Sequence, residues 1–128
     1  MKAFRILVME DDALIGMLLT EMLEGMGHGV CAVAATEADA VAAAAQHKPD
    51  MMIVDVRLRH GSGIVAVEEI LRTGFIAHVF ISGDAATVRQ LRPDDVIVEK
   101  PFRESDLVGA MQRALDAPTG RAPALQPT

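Results

Sequence analysis

Five times along the chain, an apolar run of strand length gives way to a segment whose apolar residues recur at helical spacing. The runs are 6–9, 30–34, 51–55, 79–81 and 96–98. Strands that are apolar almost throughout are buried on both faces, which calls for a parallel sheet covered by helices on each side. The segments between them are long enough for the crossovers that parallel strands require. In the first, residues 14, 15, 18, 19, 22, 23 and 26 form an apolar stripe, expected to face the core. Gly27 and Gly29 then stop that helix. Thr36 with Asp39 three residues later reads as a capping box opening an Ala-rich helix that ends before Pro49. Gly61-Ser62-Gly63 is turn chemistry ahead of a helix over 64–72. A short helix is predicted over 84–91. A last one covers 104–117, with Leu107, Val108, Met111, Ala114 and Leu115 inward. Five such units predict one doubly wound α/β domain over residues 1–117. Residues 118–128 hold three of the six prolines and no periodic pattern, and are expected to be a disordered tail or linker stub.

Composition narrows the function. Hydrophobic residues make up 51% of the 128, yet there is no Trp or Tyr and only four Phe, so the core must be aliphatic and rich in Met. Cys31 is the single cysteine, which excludes an internal disulfide and a cysteine-based zinc site. Lying in an apolar run, it is expected to be an inert buried thiol. A net charge of −6, with the basic residues scattered, argues against direct nucleic-acid binding. The N-terminal apolar run is too short for a secretory signal, and no run approaches a membrane span. A soluble cytoplasmic protein is the expectation.

In a doubly wound sheet, ligands bind beyond the carboxyl ends of the strands. The polar residues there are Glu10-Asp11-Asp12, Asp55, Ser82 and Lys100. Carboxylates at close range repel one another unless a cation intervenes. Oxygen ligands with room for water suit Mg²⁺ better than zinc or iron. A lysine and a hydroxyl beside that metal can hold the equatorial oxygens of a phosphoryl group. A carboxylate in the cluster can attack phosphorus to form an acyl phosphate. Each residue alone has a plainer reading: an acidic helix start (the role expected of Asp12), a strand-end acid, a surface lysine. Their joint placement carries the functional one, with Asp55 as phosphoacceptor.

These motifs resemble those of the receiver domains of bacterial two-component response regulators, over residues 4–116. The resemblance rests on Ile6-Leu7-Val8-Met9-Glu10-Asp11-Asp12, on Asp55 with Gly63 eight residues on, on Phe80-Ile81-Ser82-Gly83 and on Lys100-Pro101-Phe102. It implies a CheY-like, flavodoxin-like five-stranded parallel sheet in the order 2-1-3-4-5, with helices on both faces. It assigns direct Mg²⁺ binding to Asp11 and water-mediated binding to Glu10, and Mn²⁺ is expected to substitute. Asp55 and the backbone carbonyl of Arg57 would complete the metal ligands. Ser82 would be the switch hydroxyl, with Gly83 beside it, and Lys100 would pair with Asp55 and then with its phosphate. The bond before Pro101 would be cis. The phosphoryl donor would be a sensor histidine kinase or a histidine phosphotransfer protein, and the output a contact with a downstream protein. The domain would phosphorylate and dephosphorylate itself rather than turn over an external substrate.

The chain departs from the family pattern in three places. Only 17 residues (83–99) separate Ser82 from Lys100, which predicts an abbreviated fourth helix. Position 97, where the family usually has an aromatic switch residue, is Ile97. Both features are similar to those of a subgroup of stand-alone receivers from alphaproteobacteria. Third, Arg57 and Asp84 would flank the phosphoryl group with opposite charges, and one hypothesis has them pair across the mouth of the site and limit access by water. The plainer alternative is two solvated side chains. His28, His47, His60 and His78 show no ligand spacing and are expected at the surface or in loops. Met17, Met22 and Met26 are expected as core and groove filler, with Met17, off the main stripe, a candidate partner or homodimer contact.

Two other functions compete. A phosphatase of the haloacid dehalogenase type would need a second acid two residues after its nucleophile, where Arg57 stands. A flavin-binding electron carrier would want a Ser/Thr/Gly-rich loop after the first strand, where three acids would repel the cofactor phosphate. Within the receiver reading, an adaptor, a phosphorelay intermediate, a phosphate sink and the receiver part of a longer regulator all remain open.

Overall fold

The computed structural model describes residues 2–116; the Pro-rich tail inferred for 118–128 lies outside them. The five sheet strands are β1 (Arg5–Met9), β2 (Gly29–Ala34), β3 (Met51–Asp55), β4 (Ala77–Ser82) and β5 (Val96–Glu99). All pair in parallel, in the order β2-β1-β3-β4-β5. The helices are α1 (Ala13–Gly25), α2 (Glu37–His47), α3 (Gly63–Leu71), α4 (Ala85–Leu91) and α5 (Glu104–Asp116). A two-residue hairpin, Arg57–Leu58 against Gly61–Ser62, follows β3.

The alternation of side chains along each strand divides the core in two. Ile6, Val8, Ile53, Val79 and Ile81 pack with Leu19 and Leu23 of α1 and Leu107 and Met111 of α5. Leu7, Met9, Val54 and Phe80 face the other way, onto Ala40 and Ala44 of α2, Val67 and Ile70 of α3 and Val88 of α4. Helices on both faces are why the strands carry almost no polar residues until their carboxyl ends.

Local signals act where the sequence places them. Asp12 caps α1 by accepting from the amides of Leu14 and Ile15. Thr36 caps α2 by accepting from the amide of Asp39, and Ser62 caps α3 through that of Ile64. At Gly63 an added Cβ would lie 2.3 Å from the carbonyl oxygen of Asp55 and 2.5 Å from Val54 Cγ1. Only glycine lets α3 start this close to the end of β3.

Five expectations are corrected. The α1 stripe is only partly covered: Leu19 and Leu23 are buried, but Leu14 and Leu18 are 63% and 53% exposed. At about 100° per residue the seven apolar positions span roughly half the helix circumference, more than one sheet face can cover. Met17 is likewise exposed rather than core filler. Leu115 of α5 is 40% exposed, and Ala110 takes the inward place instead. His28 and His78 are buried, not surface residues. His28 Nδ1 accepts from the Phe4 amide at 3.1 Å while its ring stacks on Phe4. His78 sits within β4, its Nδ1 2.8 Å from the carbonyl of Ile76 and its Nε2 3.5 Å from Asp95. For each imidazole, Nδ1 has a backbone partner and the ring packs on Phe side chains, while Nε2 is buried without a hydrogen bond; spacing along the chain reveals none of this. Cys31 is half-buried rather than fully enclosed.

Candidate functional site

Parallel strands all end on one edge of the sheet, so the residues after β1, β3, β4 and β5 converge there. Glu10, Asp11, Asp55, Ser82 and Lys100 line one cavity of about 440 Å³, with Asp12, Ile15, Arg57 and Gly83 at its walls. Every site residue inferred at a strand end is therefore brought to this edge.

Asp55 is the centre of the cluster. It is 6% exposed, and both carboxylate oxygens are engaged. Oδ1 accepts from the Arg57 amide at 2.9 Å, and Oδ2 from Lys100 Nζ at 2.6 Å. The Lys100–Pro101 bond is cis. The Lys100 amide donates to the carbonyl of Ser82 at 2.9 Å, which ties the ends of β4 and β5 together beside the site.

Glu10 is 4% exposed and accepts from the Asp12 amide at 3.1 Å. Its carboxyl is pushed up to about 7, by burial first and by the neighbouring Asp55, against the lowering effects of the Asp12 amide and Lys100. This is the electrostatic signature of a pocket with too much negative charge for its solvent access. Asp11 is half-buried at the mouth, and its backbone carbonyl accepts from Arg59 at 3.3 Å. Among the described residues, no three His, Cys, Asp or Glu side chains already converge as a metal cage. The carboxylates of this pocket nevertheless suit Mg²⁺, which keeps several waters and takes one or two carboxylates.

Ser82 is 7% exposed, and its Oγ accepts from the Asp84 amide at 2.9 Å. The expected pairing of Arg57 with Asp84 is not formed. The Asp84 carboxylate is committed to Thr87, accepting from its hydroxyl at 2.7 Å and its amide at 3.3 Å. These two bonds hold the Asp84 carboxyl below its usual range. Arg57 is exposed. Ile97 is half-buried on β5, opposite Phe80 and against the α2/α3/α4 side of the core. Sequence reasoning missed the cap that Asp84 makes; the Asp-x-x-Thr spacing at 84 and 87 was the signal for it.

A family-wide sequence pattern described as the response regulator receiver domain matches residues 6–112. The chain belongs to that family, and is a receiver domain of the two-component, CheY-like type. Receiver domains are signalling domains. The chain is 36% identical to the phyllosphere-induced regulator PhyR of Methylorubrum extorquens, over 88% of this chain and 44% of that protein. It is 30% identical to the chemotaxis protein CheY of Bacillus subtilis, over 89% of this chain and 99% of that protein. The solution structure of the PhyR receiver domain of Erythrobacter litoralis aligns with a TM-score of 0.82 at 33% identity, covering 91% of this chain and 95% of that one. The chain thus spans about half the length of the PhyR and PdtaR relatives it matches, and nearly all of CheY.

Proposed function

We propose that this chain accepts a phosphoryl group from a phosphohistidine onto Asp55 and signals the change through protein contacts. The observation that carries the reading is the 2.6 Å contact of Lys100 Nζ with Asp55 Oδ2 inside a pocket shared with Glu10, Asp11 and Ser82. The Arg57 amide and Lys100 orient the Asp55 carboxylate. One of its oxygens attacks phosphorus, the phosphorus–nitrogen bond to the donor imidazole breaks, and an acyl phosphate forms on Asp55. Lys100 moves from the carboxylate to a phosphoryl oxygen, and Ser82 donates to another. Bound at Asp11, Asp55 and the Arg57 carbonyl, with Glu10 acting through water, Mg²⁺ or Mn²⁺ would offset the charge gathering on the phosphoryl oxygens. Water later cleaves the acyl phosphate and returns Asp55 to its free form.

The donor in this reading is a sensor histidine kinase or histidine phosphotransfer protein. The exposed Leu14 and Leu18 of α1 support docking there, since Ile15 on the same helix already lines the pocket. No helix among the described residues is long and apolar enough to cross a membrane, which is compatible with a cytoplasmic setting for this exchange. As a single-domain adaptor, relay or phosphate sink it would parallel CheY, whose whole length it covers. As the receiver of a longer regulator, with residues 118–128 as linker, it would parallel PhyR, described in one relative as an anti-anti-sigma factor.

Intact mass after incubation with acetyl phosphate and Mg²⁺ tests the chemistry. The wild type gains about 80 Da and Asp55→Asn does not, because the acyl phosphate depends on that carboxylate. An undiminished adduct in Asp55→Asn, or none in the wild type, overturns the proposal.

A further inference from the structure

One wall of the site is carried by the small hairpin after β3, in which Arg57–Leu58 pairs with Gly61–Ser62. Arg57 serves the site twice from there. Its amide donates to Asp55 Oδ1 at 2.9 Å, and its carbonyl is the backbone oxygen assigned to the cation. Two residue pairs are too few to hold a ribbon in one place, since an isolated hairpin is at best marginally stable in water. The hairpin must be held from outside.

The hold comes from Glu37, the first residue of α2. Its Oε2 accepts from the Ser62 amide at 2.8 Å, across 25 positions of chain. The same carboxyl packs on the backbone of Gly61, where an added Cβ would stand 2.3 Å from Oε2 and 2.7 Å from Cδ. Gly61 has a φ of 145°, a conformation that suits glycine and few other residues. That arm of the hairpin thus leaves the space that the Glu37 carboxylate fills. Arg59 adds two longer ties: its amide donates to the carbonyl of Ala35 at 3.3 Å, and its guanidinium to the carbonyl of Asp11 at 3.3 Å. Of these three ties, that of Glu37 is the shortest and alone has a charged acceptor, which makes it the strongest. Glu37 does not line the pocket that holds Asp55 and Lys100.

We infer that Glu37 is a positioning residue of the phosphoryl site: by seating the Gly61–Ser62 arm, it fixes the opposite arm, and with it the Arg57 amide that orients Asp55 and the Arg57 carbonyl that faces the cation. The inference rests on the phosphoacceptor reading, with Mg²⁺ bound beside Asp55. Glu37 touches neither phosphorus nor metal; it acts through the hairpin.

The test separates reach from charge on the full chain. Glu37→Asp keeps the charge, but its side chain is one methylene too short for Ser62. Glu37→Gln keeps the reach and an oxygen acceptor without the charge. Mg²⁺ affinity, from calorimetric titration, should fall about tenfold in Glu37→Asp, the scale seen when the partner of a metal ligand is lost. It should stay within about threefold of wild type in Glu37→Gln, where a neutral acceptor replaces a charged one. In the metal-free chain, hydrogen exchange of the Arg57 amide should speed up about tenfold in Glu37→Asp, the scale of one weakened hydrogen bond, and little in Glu37→Gln. Wild-type affinity or wild-type Arg57 exchange in Glu37→Asp overturns the positioning role and leaves the phosphoacceptor reading standing. So does a loss in Glu37→Gln as large as that in Glu37→Asp. Mg²⁺ binding that is absent in the wild type, or unchanged in Asp55→Asn, overturns the site reading and this inference with it.

Discussion

Glu10 is the side chain most altered by its surroundings. Its carboxyl titrates near 7 in the folded chain against 4.5 in an ordinary glutamate. Between those values the native state holds a proton that the unfolded state has lost, so stability falls as pH rises across that window. The loss is at most about 3 kcal/mol. Urea unfolding of the metal-free chain from pH 4.5 to 7.5 should show this slope, and Glu10→Gln should flatten it. Mg²⁺ should restore stability most at the upper end, where the carboxylates are charged and a bound cation favours the native state. Gly63 is constrained by space rather than charge. Gly63→Ala places a methyl 2.3 Å from the Asp55 carbonyl oxygen, and backbone must move to admit it. A cost of about 1–3 kcal/mol in thermal unfolding is expected, together with slower labelling of the displaced Asp55. The identities of both residues were legible in the sequence as parts of motifs. The burial of Glu10 and the close approach at Gly63 were not, because each depends on how elements pack: Glu10 against β3 and β5, and the start of α3 onto the end of β3.

At the scale of elements, the short fourth helix was legible from the 17 residues between Ser82 and Lys100, and it forms as α4. What anchors it was hidden in a segment read only as a connection. Arg92 joins Asp95 and Glu68, and Asp95 also faces His78 of β4. Burial alone would raise the Asp95 carboxyl, but His78 and Arg92 hold it below its usual range. Its stabilising effect is present above the ordinary value of 3.8 and is lost as pH falls through the lower folded value. Asp95→Asn should therefore cost about 1–3 kcal/mol at neutral pH by removing the carboxylate that binds Arg92 at 2.6 Å, and should lessen the acid sensitivity of unfolding. Equilibrium denaturation at pH 7 and pH 3 measures both. The helix faces were read less well than the helices themselves. Periodicity located α1 and α5, but how far around each helix the sheet reaches depends on packing distance and angle, so Leu14, Leu18 and Leu115 came out exposed.

For the whole molecule, the uncovered part of α1 lies beside the pocket mouth. Replacing Leu14 and Leu18 together by Ser should leave the melting temperature nearly unchanged, since exposed positions contribute little to stability. Labelling by acetyl phosphate should also persist, while phosphotransfer from a phosphohistidine protein should slow by about tenfold, the scale of a lost apolar contact. Equal loss with both donors would place the effect in the pocket instead of the docking surface. The sequence by itself determined the family, the five β-α units and the strand-end residues that line the pocket. It could do so because buried parallel strands must be apolar until they end, and the polar residues at those ends stand out. Tertiary structure alone decided how those residues act on one another. Lys100 meets Asp55 across 45 positions of chain, Glu10 is buried against it, and Ser82 is held by the cap of α4. These relations depend on distances between elements remote in sequence, and only the packed sheet fixes them. For Asp84 the packed chain shows a helix cap, its carboxylate committed to Thr87, where a charge pairing with Arg57 was one reading of the sequence.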